Sequence, residues 1–288
     1  MKFCLRLALA AVCAVPMLSA HPHPAEAAFP DQIGLQLYSV RGSFLQDPFA
    51  AMDMVAGYGI KEVETAGTAR MTPEQFRAEL LKRGLDPVSA HVGYNALVED
   101  FDAVLAEVRA IGAKHALIAW IPHQDGYDAA DNQAAIDNFK QWGPKFAAAG
   151  IKFGYHPHGY EFGGGEQAGD TLFDEMVKET AGHDVYFEMD VFWVVHGGED
   201  PMALFNNYPD RWVALHVKDI RKGAPTGLTS GHAPETDNVI VGTGAIDWTE
   251  VIGKARAIGV KHFFIEDETP DPLANIPLSI EYLNKLDV

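Results

Sequence analysis

The sequence predicts an α/β fold, a single (β/α)8 barrel, and three observations carry that prediction. Eight short apolar runs alternate with longer amphipathic stretches along the 288 residues, mostly about thirty residues apart, the length of one βα repeat. The runs are near-continuously apolar rather than alternating, which suits parallel strands covered on both faces. No long linker or low-complexity block divides the chain, and no Gly-rich phosphate turn follows the first run. That argues against two domains and against an open doubly wound sheet.

The chain opens outside the barrel. Lys2 and Arg6 precede an apolar run over 7–18, and Ala25-Glu26-Ala27 supplies a small-x-small cleavage signature. Residues 1–27 are therefore read as a cleaved signal peptide and 28–288 as the barrel domain. The apolar run is too short for a stable membrane anchor, so the expected destination is periplasmic or secreted. Both cysteines, Cys4 and Cys13, fall in the leader, which leaves the mature chain without disulfides or thiol nucleophiles.

The expected strands lie at 33–40, 61–66, 87–92, 115–120, 152–155, 185–189, 212–217 and 262–265. Helix signals fall between them. Asp47-Pro48 gives an N-cap followed by proline at the first helical position. Thr72-Pro73-Glu74-Gln75 reads as a capping box, with Phe76, Leu80 and Leu81 as the apolar face and Gly84 as the stop. Phe101, Val104, Leu105 and Val108 keep the helical period, as do Ile136, Phe139 and Trp142 up to Pro144. The last helix is expected near Pro272, using Ile276, Ile280 and Leu283. The longest irregular piece, 221–244, reads as a lid or binding loop.

Composition narrows the partners. Apolar residues make up 48% of the chain, enough for a packed core, and the net charge of −18 argues against nucleic acid and anionic membranes. A small carbohydrate fits better, and the chain is compatible with a homo-oligomer.

In such a barrel the C-terminal ends of all strands share one rim, where catalytic groups gather. The polar residues there are Gln36 and Tyr38, then Glu64, His91 and Trp120. They continue with His156, His158 and Glu161, Glu188 and Asp190, His216, Lys218 and Asp219, and Glu266 and Glu268. Two imidazoles and two carboxylates from neighbouring strands suit one divalent ion such as Mn, Zn, Co or Fe. Alternation puts His156 and His158 on one face, and likewise Glu188 and Asp190. Spacing does not choose within either pair. His115, His183, His232 and His262 fall at strand starts or in loops and read as surface.

These stretches resemble the sugar isomerase/epimerase superfamily of xylose-isomerase-like TIM barrels. The likeness rests on Leu35-Gln36-Leu37-Tyr38-Ser39-Val40-Arg41, Gly154-Tyr155-His156-Pro157-His158-Gly159-Tyr160-Glu161-Phe162, Met189-Asp190-Val191-Phe192-Trp193, Leu215-His216-Val217-Lys218-Asp219 and Phe264-Ile265-Glu266-Asp267. It implies one metal held at the ends of strands five to eight by His156, Asp190, His216 and Glu266. Where the ketose epimerases of that superfamily carry a glutamate on strand five, this chain has His156, as in a branch reading His-x-His. Thr243 likewise replaces the glutamate often found in the turn over 242–244.

The resemblance implies proton abstraction next to a carbonyl, with Glu266 as one acid/base group. Glu161, His158 or His91 is then the candidate for the second. Candidate substrate contacts are Glu64, which could instead pair with a rim cation such as Arg41, together with Tyr38, Trp193 and Lys218. Isomerase or epimerase is the leading reaction. A lyase or dehydratase acting on a keto-sugar or keto-glycoside is the alternative, and a non-catalytic sugar-binding barrel is the rival from another class. A DNA-repair nuclease of the same superfamily is disfavoured by charge, by export and by too few metal ligands.

Overall fold

The computed structural model describes residues 33–164 and 169–288. The signal-peptide reading of 1–27, with its two cysteines, lies outside the described residues. Eight parallel strands close a barrel: β1 (Ile33–Gln36), β2 (Glu62–Thr65), β3 (Asp86–Val92), β4 (His115–Ile118), β5 (Lys152–Tyr155), β6 (Val185–Asp190) and β7 (Trp212–Val217). A ribbon of β8 (Asp219–Ile220) and β9 (Asn238–Val239) follows before the eighth barrel strand, β10 (His262–Ile265). β10 closes the ring on β1 through Ile33↔Phe263 and Leu35↔Ile265.

The helices start where the sequence places them. Asp47 accepts the Phe49 and Ala50 N–H groups ahead of helix Pro48–Gly57, and Thr72 and Gln75 form a reciprocal capping box on helix Pro73–Lys82. The last helix spans Pro272–Leu283. Strand residues divide by alternation. On β5, Phe153 and Tyr155 turn outward, with ring centroids 5.4 and 5.9 Å from Phe139 of helix Ala129–Ala148. On β6, β7 and β10, Met189, Leu215, Val217 and Ile265 join the main buried core. Their neighbours Asp190, Ala214, His216 and Phe264 take the opposite face and turn into the barrel. Gly34 makes room there, because a Cβ at that position would stand 2.6 Å from the Phe264 ring.

Three expectations are corrected. The first strand stops at Gln36 rather than Val40. The Gln36 side-chain carbonyl accepts the Tyr38 N–H at 3.0 Å and turns Leu37–Val40 into a 3-10 helix. Pro144 does not end its helix, which runs on to Ala148. An interior proline costs about 3 kcal/mol, and the burial of Trp142 and Phe146 on either side of it offsets this at about 1.5–3 kcal/mol each.

The stretch 221–244, read as a lid or binding loop, brings Gly231, His232 and Pro234 to the wall of a cavity, and its end is tied to β8. Asp219 accepts N–H groups from Ile220, Gly242 and Gly244 at 2.9, 2.8 and 3.1 Å, and any Cβ on Gly244 would collide with that carboxylate. Finally, His115 is not at the surface. It is 5% exposed, edge-on to His262 at 5.0 Å, and burial pulls its pKa down to about 4.

Candidate active site

Strand register sets which polar side chains meet. Asp190 stands opposite His216 across the β6–β7 pair, and Phe264 opposite His216 across β7–β10. Glu266, two residues beyond Phe264, and His156, just past β5, complete the ring. One ligand atom from each of His156, Asp190, His216 and Glu266 lies within 4.8 Å of all the others. His156 Nε2 is 3.6 Å and His216 Nδ1 3.7 Å from Asp190 Oδ2, and His216 Nδ1 is 3.3 Å from Glu266 Oε2. Tetrahedral ligands bonded at about 2.0–2.2 Å stand roughly 3.3–3.6 Å apart. The set therefore fits a divalent ion.

Asp190 supplies a second reason for that fit. Its Oδ1 accepts the Trp193 N–H at 3.0 Å and caps helix Val191–Gly197. Its Oδ2 is fully buried with no hydrogen-bond partner. With His156, His216 and Lys218 no nearer than 3.6, 3.7 and 4.0 Å, that oxygen keeps room for a closer cation, which a buried carboxylate favours.

Beneath this ring lies a second layer that the sequence did not separate from the first. Glu188 Oε2 is 3.1 Å from His91 Nε2, 3.1 Å from His156 Nδ1 and 3.2 Å from His216 Nε2. Glu64 Oε1 is 2.9 Å from His91 Nε2 and 2.8 Å from His216 Nε2, and it accepts the Gln36 amide at 2.6 Å. Ser89 donates to Glu64 Oε2 at 2.5 Å. Glu64 therefore belongs to the barrel floor and pairs with histidines rather than with Arg41. His91 is likewise held between two carboxylates, Glu64 and Glu188.

Charge alternates through the two layers. Burial would push Glu64 up, but His91 and His216 more than offset it and leave the pKa lowered. Burial and Glu64 together raise Glu188 to about 7, against the pull of His216 and His91. Burial would lower His216, yet Glu188 and Glu266 hold it well above its ordinary value. His156 is lowered well below its own, by burial and then by His216. Burial would raise Glu266, but Lys218 and His216 keep it ionised far below the usual carboxylate range. A cation entering the ring would displace the His216 proton on the Nδ1 side.

The ring adjoins a cavity of about 340 Å3 walled by Trp120, His158, Phe192, Trp193, Lys218 and Glu268, with His232 at its mouth. Lys218 is 1% exposed. Its ammonium lies 3.0 Å from Glu266, pairs with Glu268, and stands 5.2 Å over the Trp193 ring. Burial would lower its pKa, but Glu266, Glu268 and Asp190 raise it. His158 faces Trp193 with ring centroids 4.8 Å apart and keeps a buried, unpartnered Nδ1. Burial, and then Lys218, pull its pKa down to about 3. Trp193 and Lys218 thus line the cavity as the sequence suggests, and His232 joins them although it reads as a surface loop residue.

Two sequence candidates are not brought to this cavity. Tyr38 is 42% exposed, stacked under Arg41 at 4.1 Å, and faces a larger, more apolar groove of about 450 Å3 shared with Phe44, Leu45 and Arg70. That groove holds none of the converging ionisable groups. Glu161 is fully buried but turned away from the ring: it accepts the His158 and Gly159 N–H groups at 2.9 and 2.8 Å, and the Tyr155 hydroxyl. Gly159, at φ 95°, folds the chain back to make that clamp. In this position Glu161 clamps the backbone of the turn that follows β5.

Known proteins share this architecture. Residues 53–286 match the family described as xylose isomerase-like TIM barrel. A sugar phosphate isomerase/epimerase from Parabacteroides distasonis superposes with a TM-score of 0.72 at 27% identity, over 88% of this chain and 97% of that one. The IOLI protein, solved with a bound zinc atom, superposes with a TM-score of 0.64 at 13% identity, over 88% of this chain and 95% of that one, and shares the fold. Inosose dehydratase from Clostridium beijerinckii is 38% identical over 72 residues, 25% of this chain and 23% of that protein. The one from Geobacillus thermodenitrificans is 26% identical over 143 residues, 48% of this chain and 47% of that protein. The chain thus spans about half or less of the length of these curated relatives. By the match over most of its length, the chain belongs to the xylose isomerase-like TIM barrel family.

Proposed function

We propose that the protein is an exported, divalent-metal-dependent enzyme that removes a proton next to the carbonyl of a small carbohydrate and returns it to give an isomer or epimer. One observation carries the reading. Ligand atoms of His156, Asp190, His216 and Glu266 gather within 4.8 Å of one another, and they do so beside an aromatic-walled cavity holding a buried, charged lysine. His156, Asp190, His216 and Glu266 would hold the ion. When bound, it supplies positive charge to polarise a ketone oxygen.

The chain's own groups supply the rest. Lys218 stays protonated against its carboxylates and offers a fixed positive charge to an oxygen that becomes anionic as the proton leaves. Glu266 is ionised and is the candidate acid/base group at the ring. Trp193, Phe192 and Trp120 provide flat apolar walls for the C–H faces of a sugar ring. His158 adds an imidazole to the same wall.

Elimination is the second reading, and two observations favour it. The curated relatives are inosose dehydratases, and Glu161 is directed into the backbone, so it does not pair with Glu266 across the cavity. A dehydratase would expel a hydroxyl after the same proton abstraction. The test is NMR in D2O with metal-stripped enzyme resupplied with Mn, Co or Zn, on a panel of free sugars, keto-sugars and keto-polyols. Deuterium incorporation with an isomeric product supports the first reading, and loss of water supports the second. Metal-independent binding with neither outcome on any substrate would return the protein to a sugar-binding role.

A further inference from the structure

His156 and His216 each stand between two layers of carboxylate, and they are turned in opposite senses. His156 sends Nδ1 to Glu188 in the floor and Nε2 toward Asp190 in the ring. His216 sends Nε2 to Glu64 and Glu188 in the floor and Nδ1 toward Asp190 and Glu266 in the ring. We propose that Glu188, Glu64, His91 and Gln36 form a positioning network that fixes both tautomers, so that a cation is met by His156 through Nε2 and by His216 through Nδ1. The inference rests on the metal-site reading above and adds to it which nitrogen of each ring is free.

The network is determined from its outer end. The Tyr38 N–H donates to Gln36 Oε1 at 3.0 Å, which leaves Gln36 Nε2 as the donor to Glu64 at 2.6 Å and to His91 Nδ1 at 3.3 Å. A flipped amide would set an oxygen against the Glu64 carboxylate. His91 Nδ1 therefore accepts, and the ring carries its proton on Nε2, between Glu64 and Glu188. The Gln36 N–H aimed at Nδ1 opposes a second proton there. The fixed amide decides.

With His91 donating to the floor, Glu188 Oε2 also takes Nδ1–H of His156, and Glu64 takes Nε2–H of His216. Each ring is left with a single lone pair, directed at the ring of ligands. Carboxylates that accept the second N–H of a ligating histidine fix its tautomer and raise its basicity. A second ion in the floor is disfavoured, because His156 and His216 would each have to lose both ring protons to bridge two cations. The floor separations, 2.8–3.2 Å, are those of hydrogen bonds.

The test is proton–cadmium correlation NMR on protein loaded with the NMR-active cadmium isotope, with stoichiometry from elemental analysis. A cation on Nε2 couples to both ring C–H protons, and one on Nδ1 couples strongly only to the proton between the nitrogens. The expected result is one cadmium per chain and one ring of each pattern, the two-proton pattern vanishing in His156→Asn. In Glu188→Gln, cadmium affinity should fall by about 10–100-fold, and a milder fall in Gln36→Leu keeps the test alive if the first variant folds poorly.

The same pattern on both rings, the reverse assignment, or a second cadmium coupled to His91 would overturn the inference while leaving the metal site standing. No bound cadmium at all would sink the metal-site reading, and this inference with it.

Discussion

Replacing Glu161 separates a backbone clamp from a catalytic base. The carboxylate is 0% exposed and accepts two backbone N–H groups, at 2.9 Å from His158 and 2.8 Å from Gly159, together with the Tyr155 hydroxyl. Glu161→Ala leaves two buried backbone donors without an acceptor, while the Tyr155 hydroxyl keeps the Tyr160 oxygen at 2.9 Å, and each such loss costs about 1–3 kcal/mol. Water entering the vacated space recovers part of that, so a loss of about 3 kcal/mol is expected. For a chain of this size the corresponding fall in Tm is about 6–12 °C.

The pH dependence is a second handle on the same residue. Burial raises the Glu161 pKa to about 8 from an ordinary 4.5, so the folded state binds this proton more tightly than the unfolded chain. Its contribution to stability is complete below about pH 4.5 and is lost as pH rises through about 8. Urea melts of wild type and Glu161→Gln across that window should show the wild type losing stability relative to the variant as pH rises. A variant that melts like wild type at every pH but has lost its turnover would refute the clamp and restore Glu161 as a base.

Asp190→Asn keeps the cap on Trp193 through the side-chain oxygen but removes the charge on the ring side; it should fold like the metal-free wild type and lose at least ~100-fold in divalent-metal affinity by titration calorimetry. Lys218→Met leaves Glu266 and Glu268 without their cation, so denaturation should show a loss of about 3–5 kcal/mol, lessened at low pH where those carboxylates protonate. His216 is held well above its ordinary pKa by Glu188 and Glu266 despite burial. Metal uptake at neutral pH should therefore release a proton and weaken as pH falls, which calorimetry in buffers of different ionisation enthalpy would read directly.

The barrel was legible because its signal is repetitive: eight apolar runs and capped helices each point the same way, and single misreadings such as Pro144 do not disturb the sum. The site was legible as a face and not as a depth. Alternation puts His156 with His158 and Glu188 with Asp190 on the inner side of their strands. Which member of each pair reaches the ring depends on the stagger between strands, here the alignment of Asp190 with His216. That stagger lies in pairing across the barrel, so Glu188 drops into the floor and His158 rises into the cavity wall.

The floor positions of Glu64 and His91 were hidden for a similar reason. Glu64 on β2 meets Gln36 of β1 and Ser89 of β3, and His91 on β3 meets Glu188 of β6. Glu161 depended on the left-handed turn at Gly159, a backbone reversal that a list of strand-end residues does not contain.

The central claim is that one divalent ion sits among His156, Asp190, His216 and Glu266. Anomalous diffraction at the metal edge from crystals grown with Zn or Mn tests it most directly. The account predicts a single strong peak at about 2.0–2.2 Å from those four side chains, bonded to His156 Nε2 and His216 Nδ1. A peak in the floor between Glu64, His91 and Glu188, or no peak within the barrel, would contradict it.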